Sequence, residues 1–263
     1  MGDKLAIINA IWIGTYLGPV HVSCLKSFVI QGHKVILHSY ECPKDKPDEV
    51  EFANANQLIP YDQMFKHRET GSLAVFSDLM RYELLRKEFG LYVDCDMYCL
   101  KPILDANYIV GCYDDEILGN AVLKLPPSCP VLTELCSIRE NNNYFPPWLS
   151  NSKKWKHRIK KLIGIGGGIE DIPWGALGPG ALTYYIKKYD LLELTQPIDI
   201  FYPVNHVFSN LLLDQELSYK DLVTHRTKCI HLSNYAFLQK KDLDIELLPT
   251  CPLKELINLG RNF

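Results

Sequence analysis

At 263 residues, with 47% apolar and 11% aromatic content, the chain can bury a full core as one large domain, which excludes a disordered polypeptide. Its formal net charge of −3 argues against general nucleic-acid binding, which usually shows a basic surplus. Cys24, Cys42, Cys95, Cys99, Cys112, Cys129, Cys136, Cys229 and Cys251 form no CxxC pair, and their odd number points to free thiols in a reducing compartment. The opening "MGDKLAIINAIWIG" has too short an apolar run for a signal peptide, and no stretch approaches the ~20 apolar residues that span a bilayer. A soluble cytoplasmic protein is expected.

In chain order, "KLAIINAIWIG" reads as a first strand that delivers Trp12 to a loop. "VHVSCLKSFVIQG" has helical periodicity closing on Gly32, and "HKVILHSYE" returns as a strand. A polar segment follows, with a short strand expected near "NQLIP", and then "GSLAVFSDLMRYELLRKEFG", a strong helix ending at Gly90. "LYVDCDMYC" reads as one strand. "ILGNAVLKLPPSCPVLTELCSIRE" reads as a strand, a proline turn and a helix, and "WGALGPGALTYYIKKY" as a glycine-rich turn feeding a helix. "IDIFYPVNHVF" and "KCIHLSNYAF" are expected as late strands. Alternating strands and helices of these lengths favour an α/β fold with a mainly parallel sheet, whose ligands collect at the carboxyl ends of strands.

Trp12 and the pair Asp94, Asp96 both fall at such ends. If "LYVDCDMYC" is continuous strand, Tyr92, Asp94 and Asp96 share one face. Two carboxylates side by side against a core are unfavourable unless a cation or strong donors sit between them. Mg²⁺ or Mn²⁺ takes one or two protein carboxylates and completes its shell with water and phosphate oxygens, so a metal bound to a diphosphate is expected. In the preceding helix, Asp78 and Arg81 stand three apart on one face of an element that is apolar nearly all round, and a buried acid and arginine there are expected to meet a ligand.

"SDLMRYELLRKEFGLYVDCDMYCLKP" resembles the sugar-binding DxD region of glycosyltransferase family 32, and also the glucosyltransferase domain of the large clostridial cytotoxins. "IWIG", "GPGALT", "FYP" and "IHLSNY" resemble further segments of these families, in the expected order along the chain. The resemblance implies a GT-A fold: a single Rossmann-like domain with an inserted helical acceptor-side region. Residues 1–105 would form the nucleotide-sugar-binding part and 106–263 the acceptor-side and C-terminal part. It implies retaining transfer of a hexose-type sugar from a nucleotide-sugar, a UDP-sugar by expectation, with Mn²⁺ or Mg²⁺ as cofactor.

Carried over onto this chain, the resemblance makes Asp78, Arg81, Asp94 and Asp96 the catalytic group. Trp12 would stack on the base and Ile11 would add backbone contacts. Asp78 and Arg81 would hold ribose and sugar hydroxyls, with Tyr92, Asp94 and Cys95 also on the donor. Asp94 and Asp96 would bind the metal, completed by His231 or by its rival Asn234. Trp12 reads also as core. Gly178 and Gly180 read equally as a plain turn or, at the start of a helix, as backbone donors to phosphate or acceptor.

The basic run "KKWKHRIKK", residues 153–161, reads as a solvated helix face or as a peripheral contact with the inner face of an anionic membrane. "GIGGG" after it lacks a Walker lysine and reads as a hinge. The expected acceptor is a glycan or lipid-linked glycan, in surface polysaccharide or lipopolysaccharide synthesis, with no nucleic-acid partner. Two other readings stand beside this one: a toxin-like transferase acting on a protein acceptor, and a non-catalytic sugar-nucleotide or glycan-binding module.

Overall fold

A computed structural model describes residues 4–141, 144–173, 175–233 and 245–261. The first strand, β1 (Ile8–Ile11), is wholly buried, and it is followed by helix α1 (Pro19–Ile30), which Pro19 opens. The chain returns through β2 (Val35–Ser39) and β3 (Glu51–Asn54). Helix α2 (Ala74–Arg86) then leads into β4 (Leu91–Val93), β5 (Met97–Cys99), β6 (Ile109–Cys112) and β7 (Leu118–Lys124). Helices α3 (Pro130–Glu140), α4 (Asn151–Leu162), α5 (Pro179–Lys188) and the short α6 (Ile198–Phe201) precede β8 (Cys229–His231), and α7 (Pro252–Arg261) packs against α1.

Six strands form one sheet in the order β3-β2-β1-β4-β7-β6. β1, β2, β3 and β4 run parallel, and β7 is antiparallel to both β4 and β6. This is the mainly parallel α/β sheet that the resemblance implies. α2 is buried almost all round because it sits against the sheet and α3 at once, which explains its lack of a polar stripe. Its Val75, Phe76, Leu79 and Leu84 share a core with Ile11, Leu123, Leu132 and Ile186. All nine cysteines are free thiols.

Three expectations fail locally. "LYVDCDMYC" is two strands: β4 stops at Val93, the chain turns at 94–96 with the Met97 N–H donating to the Asp94 carbonyl at 3.0 Å, and β5 leaves to pair with β8. The strand expected near "NQLIP" is the preceding "EFAN", and Ala55–Gln57 is a 3₁₀ turn capped by the Asn54 side chain. "IDIFYPVNHVF" forms no strand; Pro197 precedes a helical turn over Ile198–Phe201, and Pro203 lacks the N–H that a sheet ladder needs.

Candidate active site

The turn that divides β4 from β5 is fixed by its backbone. The Asp94 N–H donates to the Ala121 carbonyl on β7 at 2.8 Å, and the Asp96 carbonyl accepts from the Leu232 N–H at 2.9 Å. Asp94 is thereby tied to the large sheet and Asp96 to the β5–β8 pair. Among the described residues, Asp94, Asp96 and His231 bring ligand atoms within 4.8 Å of one another. The expected rival Asn234 lies outside the described residues.

Arg81, on α2, organises the inner side of this turn. Its Nη2 donates to Asp94 Oδ1 at 2.8 Å and to the Tyr92 hydroxyl at 3.2 Å, and the Tyr92 hydroxyl donates to the same carboxylate oxygen at 2.5 Å. The guanidinium lies 4.3 Å from the centre of the Tyr92 ring. Its Nη1 stands 3.2 Å from Asp78 Oδ1, yet neither Nη1 nor Nε makes a hydrogen bond. Burial works against the charge, but Asp94, Tyr92 and Asp78 together hold the Arg81 pKa well above its ordinary value. A buried, permanently charged guanidinium with unused donors is an arrangement that a ligand completes.

Asp78 is buried beside it, and burial pushes its pKa up to about 6 against the opposing pull of Arg81. Asn120, on β7, donates to Asp78 Oδ1 at 3.0 Å. The sequence reading missed Asn120; the available signal was an amide inside the otherwise buried strand "LGNAVLK". Gly178 lies directly over both side chains. A Cβ there would come within 2.6 Å of Asn120 Nδ2 and 2.7 Å of Asp78 Oδ1, so only glycine lets this backbone approach so closely. The Tyr82 hydroxyl secures the loop by donating to the Leu177 carbonyl at 2.5 Å. Gly180 sits in the first turn of α5, where its N–H donates to the Gly175 carbonyl at 3.0 Å, and a Cβ on it would reach Trp148 Nε1 at 3.1 Å.

On the outer side, His231 Nε2 stands 3.2 Å from Asp96 Oδ1, and its buried Nδ1 has no hydrogen bond. Burial works against the imidazolium, but the Asp96 charge and hydrogen bond, with Asp94 behind them, outweigh it and raise the His231 pKa. Tyr202 meets the His231 ring edge-on, with ring centres 6.0 Å apart. At the β1 exit the Cys95 thiol donates to the Ile11 carbonyl at 3.4 Å, which joins Ile11 and the DxD turn directly. The Cys95 side chain is buried there. Trp12 is half-buried; its Nε1 donates to the Tyr16 carbonyl at 3.0 Å and its ring leans on His21 with centres 4.5 Å apart. Thus Ile11, Asp78, Arg81, Tyr92, Asp94, Cys95, Asp96, Gly178 and His231 are joined through direct neighbours, with Trp12 next to Ile11 and Gly180 just beyond Gly178.

Residues 21–120 match the glycosyltransferase sugar-binding region containing a DXD motif. That stretch includes Asp78, Arg81, Tyr92, Asp94, Asp96 and Asn120 and leaves out Trp12 and His231. Over that stretch, less than half of the chain, the protein is similar to glycosyltransferases that carry a DXD motif. Among solved structures, the chain is similar to one titled PaToxG glycosyltransferase, at 13% identity and a TM-score of 0.45 over 72% of this chain and 71% of that one. No curated protein matches the chain.

Proposed function

We propose that the protein is a metal-dependent, retaining glycosyltransferase that moves a hexose from a UDP-sugar to a glycan acceptor in surface polysaccharide or lipopolysaccharide synthesis. The observation that carries the metal-dependent donor site is the convergence of Asp94, Asp96 and His231 within 4.8 Å, beside a buried Arg81 whose Nε and Nη1 lack hydrogen bonds. Two carboxylates and an imidazole fit a divalent ion, and the nitrogen donor favours a transition cation such as Mn²⁺ over Mg²⁺. When bound, that ion supplies Lewis-acid stabilisation of the charge that gathers on the leaving diphosphate.

The chain's own residues have distinct tasks in this reading. Asp94 keeps only Oδ2 for the ion, because Oδ1 is occupied by Arg81 and Tyr92. Arg81 turns its unused donors to ribose and sugar hydroxyls and balances Asp94 and Asp78. Asp78, oriented by Asn120, accepts from a sugar hydroxyl, and the Gly178 backbone closes that pocket. His231 would ligate as the neutral imidazole, so metal binding competes with its protonation. Trp12 offers its face to the base, and residues 1–105 supply most of the donor side while 106–263 supply the acceptor side. Retention of configuration and the glycan acceptor rest on the sequence resemblance.

Binding of a panel of UDP- and GDP-sugars, each with Mn²⁺, with Mg²⁺ and with chelator, tests the donor and metal assignments. One UDP-sugar is expected to bind with metal and to weaken sharply without it; no metal-dependent binding by any member contradicts the reading. With the donor known, diphosphate release that requires acceptor distinguishes a transferase from a binding module, and the product anomer read by NMR tests retention.

A further inference from the structure

Helix α4, "NSKKWKHRIKKL", is built the wrong way round for a helix on a soluble body. Trp155, Ile159 and Leu162, at spacings of four and three, lie on one face, and the chain continues through Ile163 and Ile165. A surface helix normally turns such a stripe to the core. Here Trp155 is 64% exposed, Ile159 51%, Leu162 85%, Ile163 61% and Ile165 62%. The side facing the body is polar: His157 packs on Phe145 with ring centres 5.1 Å apart, and Lys154 is half-buried.

The helix is held in this orientation by the glycine turn behind it. Gly167 has φ +84°, and a Cβ there would fall 2.6 Å from Lys161 Cβ and 2.7 Å from the His157 carbonyl. Its N–H donates to Asp171 Oδ2 at 2.7 Å, and Arg68 pairs with Asp171 at 3.1 Å and with Glu170 at 2.5 Å. The turn is thus a fitted clamp as well as a change of direction. The remaining faces of the helix carry Lys153, Lys154, Lys156, Arg158, Lys160 and Lys161, with Arg158 and Lys156 nearest the stripe, and the helix has no acidic residue.

We propose that α4 and the following Ile163–Ile165 segment dock the protein onto an anionic lipid bilayer. The helix would lie in the interface plane with Trp155, Ile159 and Leu162 inserted and the lysines among the headgroups. Charge complementarity selects this occupant. A second copy would bring six more cations against the six already present, whereas an anionic lipid surface meets both the apolar stripe and its basic margins. Trp155 at the N-terminal end of the stripe is suited to the headgroup boundary. Trp148, just before α4, abuts Gly180 at the start of α5, so the segment that leads into the docked helix touches the helix that follows the loop over Asp78. The inference stands apart from the identity of the donor.

The test is sedimentation of the full chain with vesicles of 30% phosphatidylglycerol in phosphatidylcholine, and with phosphatidylcholine alone, at physiological salt. Wild type is expected to bind the anionic vesicles. Trp155→Ser with Leu162→Ser should weaken partitioning at least tenfold. Lys156→Gln, Arg158→Gln and Lys160→Gln together should weaken it on the order of a hundredfold, at about fivefold per cation. Both variants should keep the far-UV spectrum and nucleotide binding of wild type. No binding by wild type, equal binding to neutral vesicles, or undiminished binding by the serine variant overturns the proposal. So does a wild-type dimer in analytical ultracentrifugation that the serine variant dissolves, because the stripe then belongs to a second copy.

Discussion

Asp94 and Asp96 are two residues apart and belong to different surroundings. Asp94 closes an inner group with Asp78, Arg81 and Tyr92, where buried charges compensate one another and one oxygen is already committed to two donors. Asp96 stands on the outer β5–β8 pair, faces His231, and has Trp12 and the β1 exit near its turn. Loss of an acid from the inner group strands a guanidinium that cannot give up its charge, whereas the imidazole that faces Asp96 can become neutral. A motif that reads as two equivalent acids therefore divides its work.

The largest separation between the two sides is expected from Asp96→Ala. Removing a ligand from the outer side should lower metal-dependent turnover by at least a hundredfold, with a smaller loss of stability than Asp94→Ala, because the stranded His231 can become neutral and Arg81 cannot. Full transfer by the folded variant would remove Asp96 from the metal site. Asp94→Ala should lose activity as well, and in addition lose about 3 kcal/mol of stability, because the buried Arg81 charge is left with less compensation. Denaturant unfolding of the two variants side by side reads the difference, and equal stability would erase the proposed division.

Asp78 sharpens the comparison through pH. Its folded pKa is raised to about 6 by burial, so the ionised form is the disfavoured one in the folded state. Its contribution to stability is present at low pH and is lost as pH rises through about 6. Asp78→Asn carries no such charge, so its stability relative to wild type should increase between pH 4 and 7, by at most about 3 kcal/mol. A constant difference across that range would mean that Asp78 is ionised without penalty. On the open side, Trp12→Ala should weaken UDP binding by on the order of 1 to 3 kcal/mol, the scale of base stacking, with little change in stability. Unchanged UDP affinity would return Trp12 to a packing role.

The inner group was legible in the sequence because a helix apolar on every side has to be buried, and an acid and an arginine inside it then need a reason. The division of the motif was not legible. The alternation of "LYVDCDMYC" continues through the turn, since Val93, Cys95 and Met97 are all buried whether or not the strand is continuous. Local pattern does not reveal that β5 pairs with a strand more than a hundred residues later. The same limit hid Asn120, whose role depends on β7 lying beside β4, and misread "IDIFYPV", where β-branched residues favour a strand while Pro197 and Pro203 confine it to a helical turn. The spacing of Trp155, Ile159 and Leu162 is present in the sequence, but only their exposure in the fold shows that the stripe faces outward.

The central claim is that Asp94, Asp96 and His231 hold a divalent ion that helps to bind the donor diphosphate. Calorimetric titration of UDP into wild type and Asp96→Ala, each with Mn²⁺ and with chelator, tests it most directly. The account predicts at least tenfold tighter UDP binding with Mn²⁺ in wild type and little or no effect of Mn²⁺ in Asp96→Ala. UDP affinity in wild type that is the same with Mn²⁺, with Mg²⁺ and with chelator would contradict it.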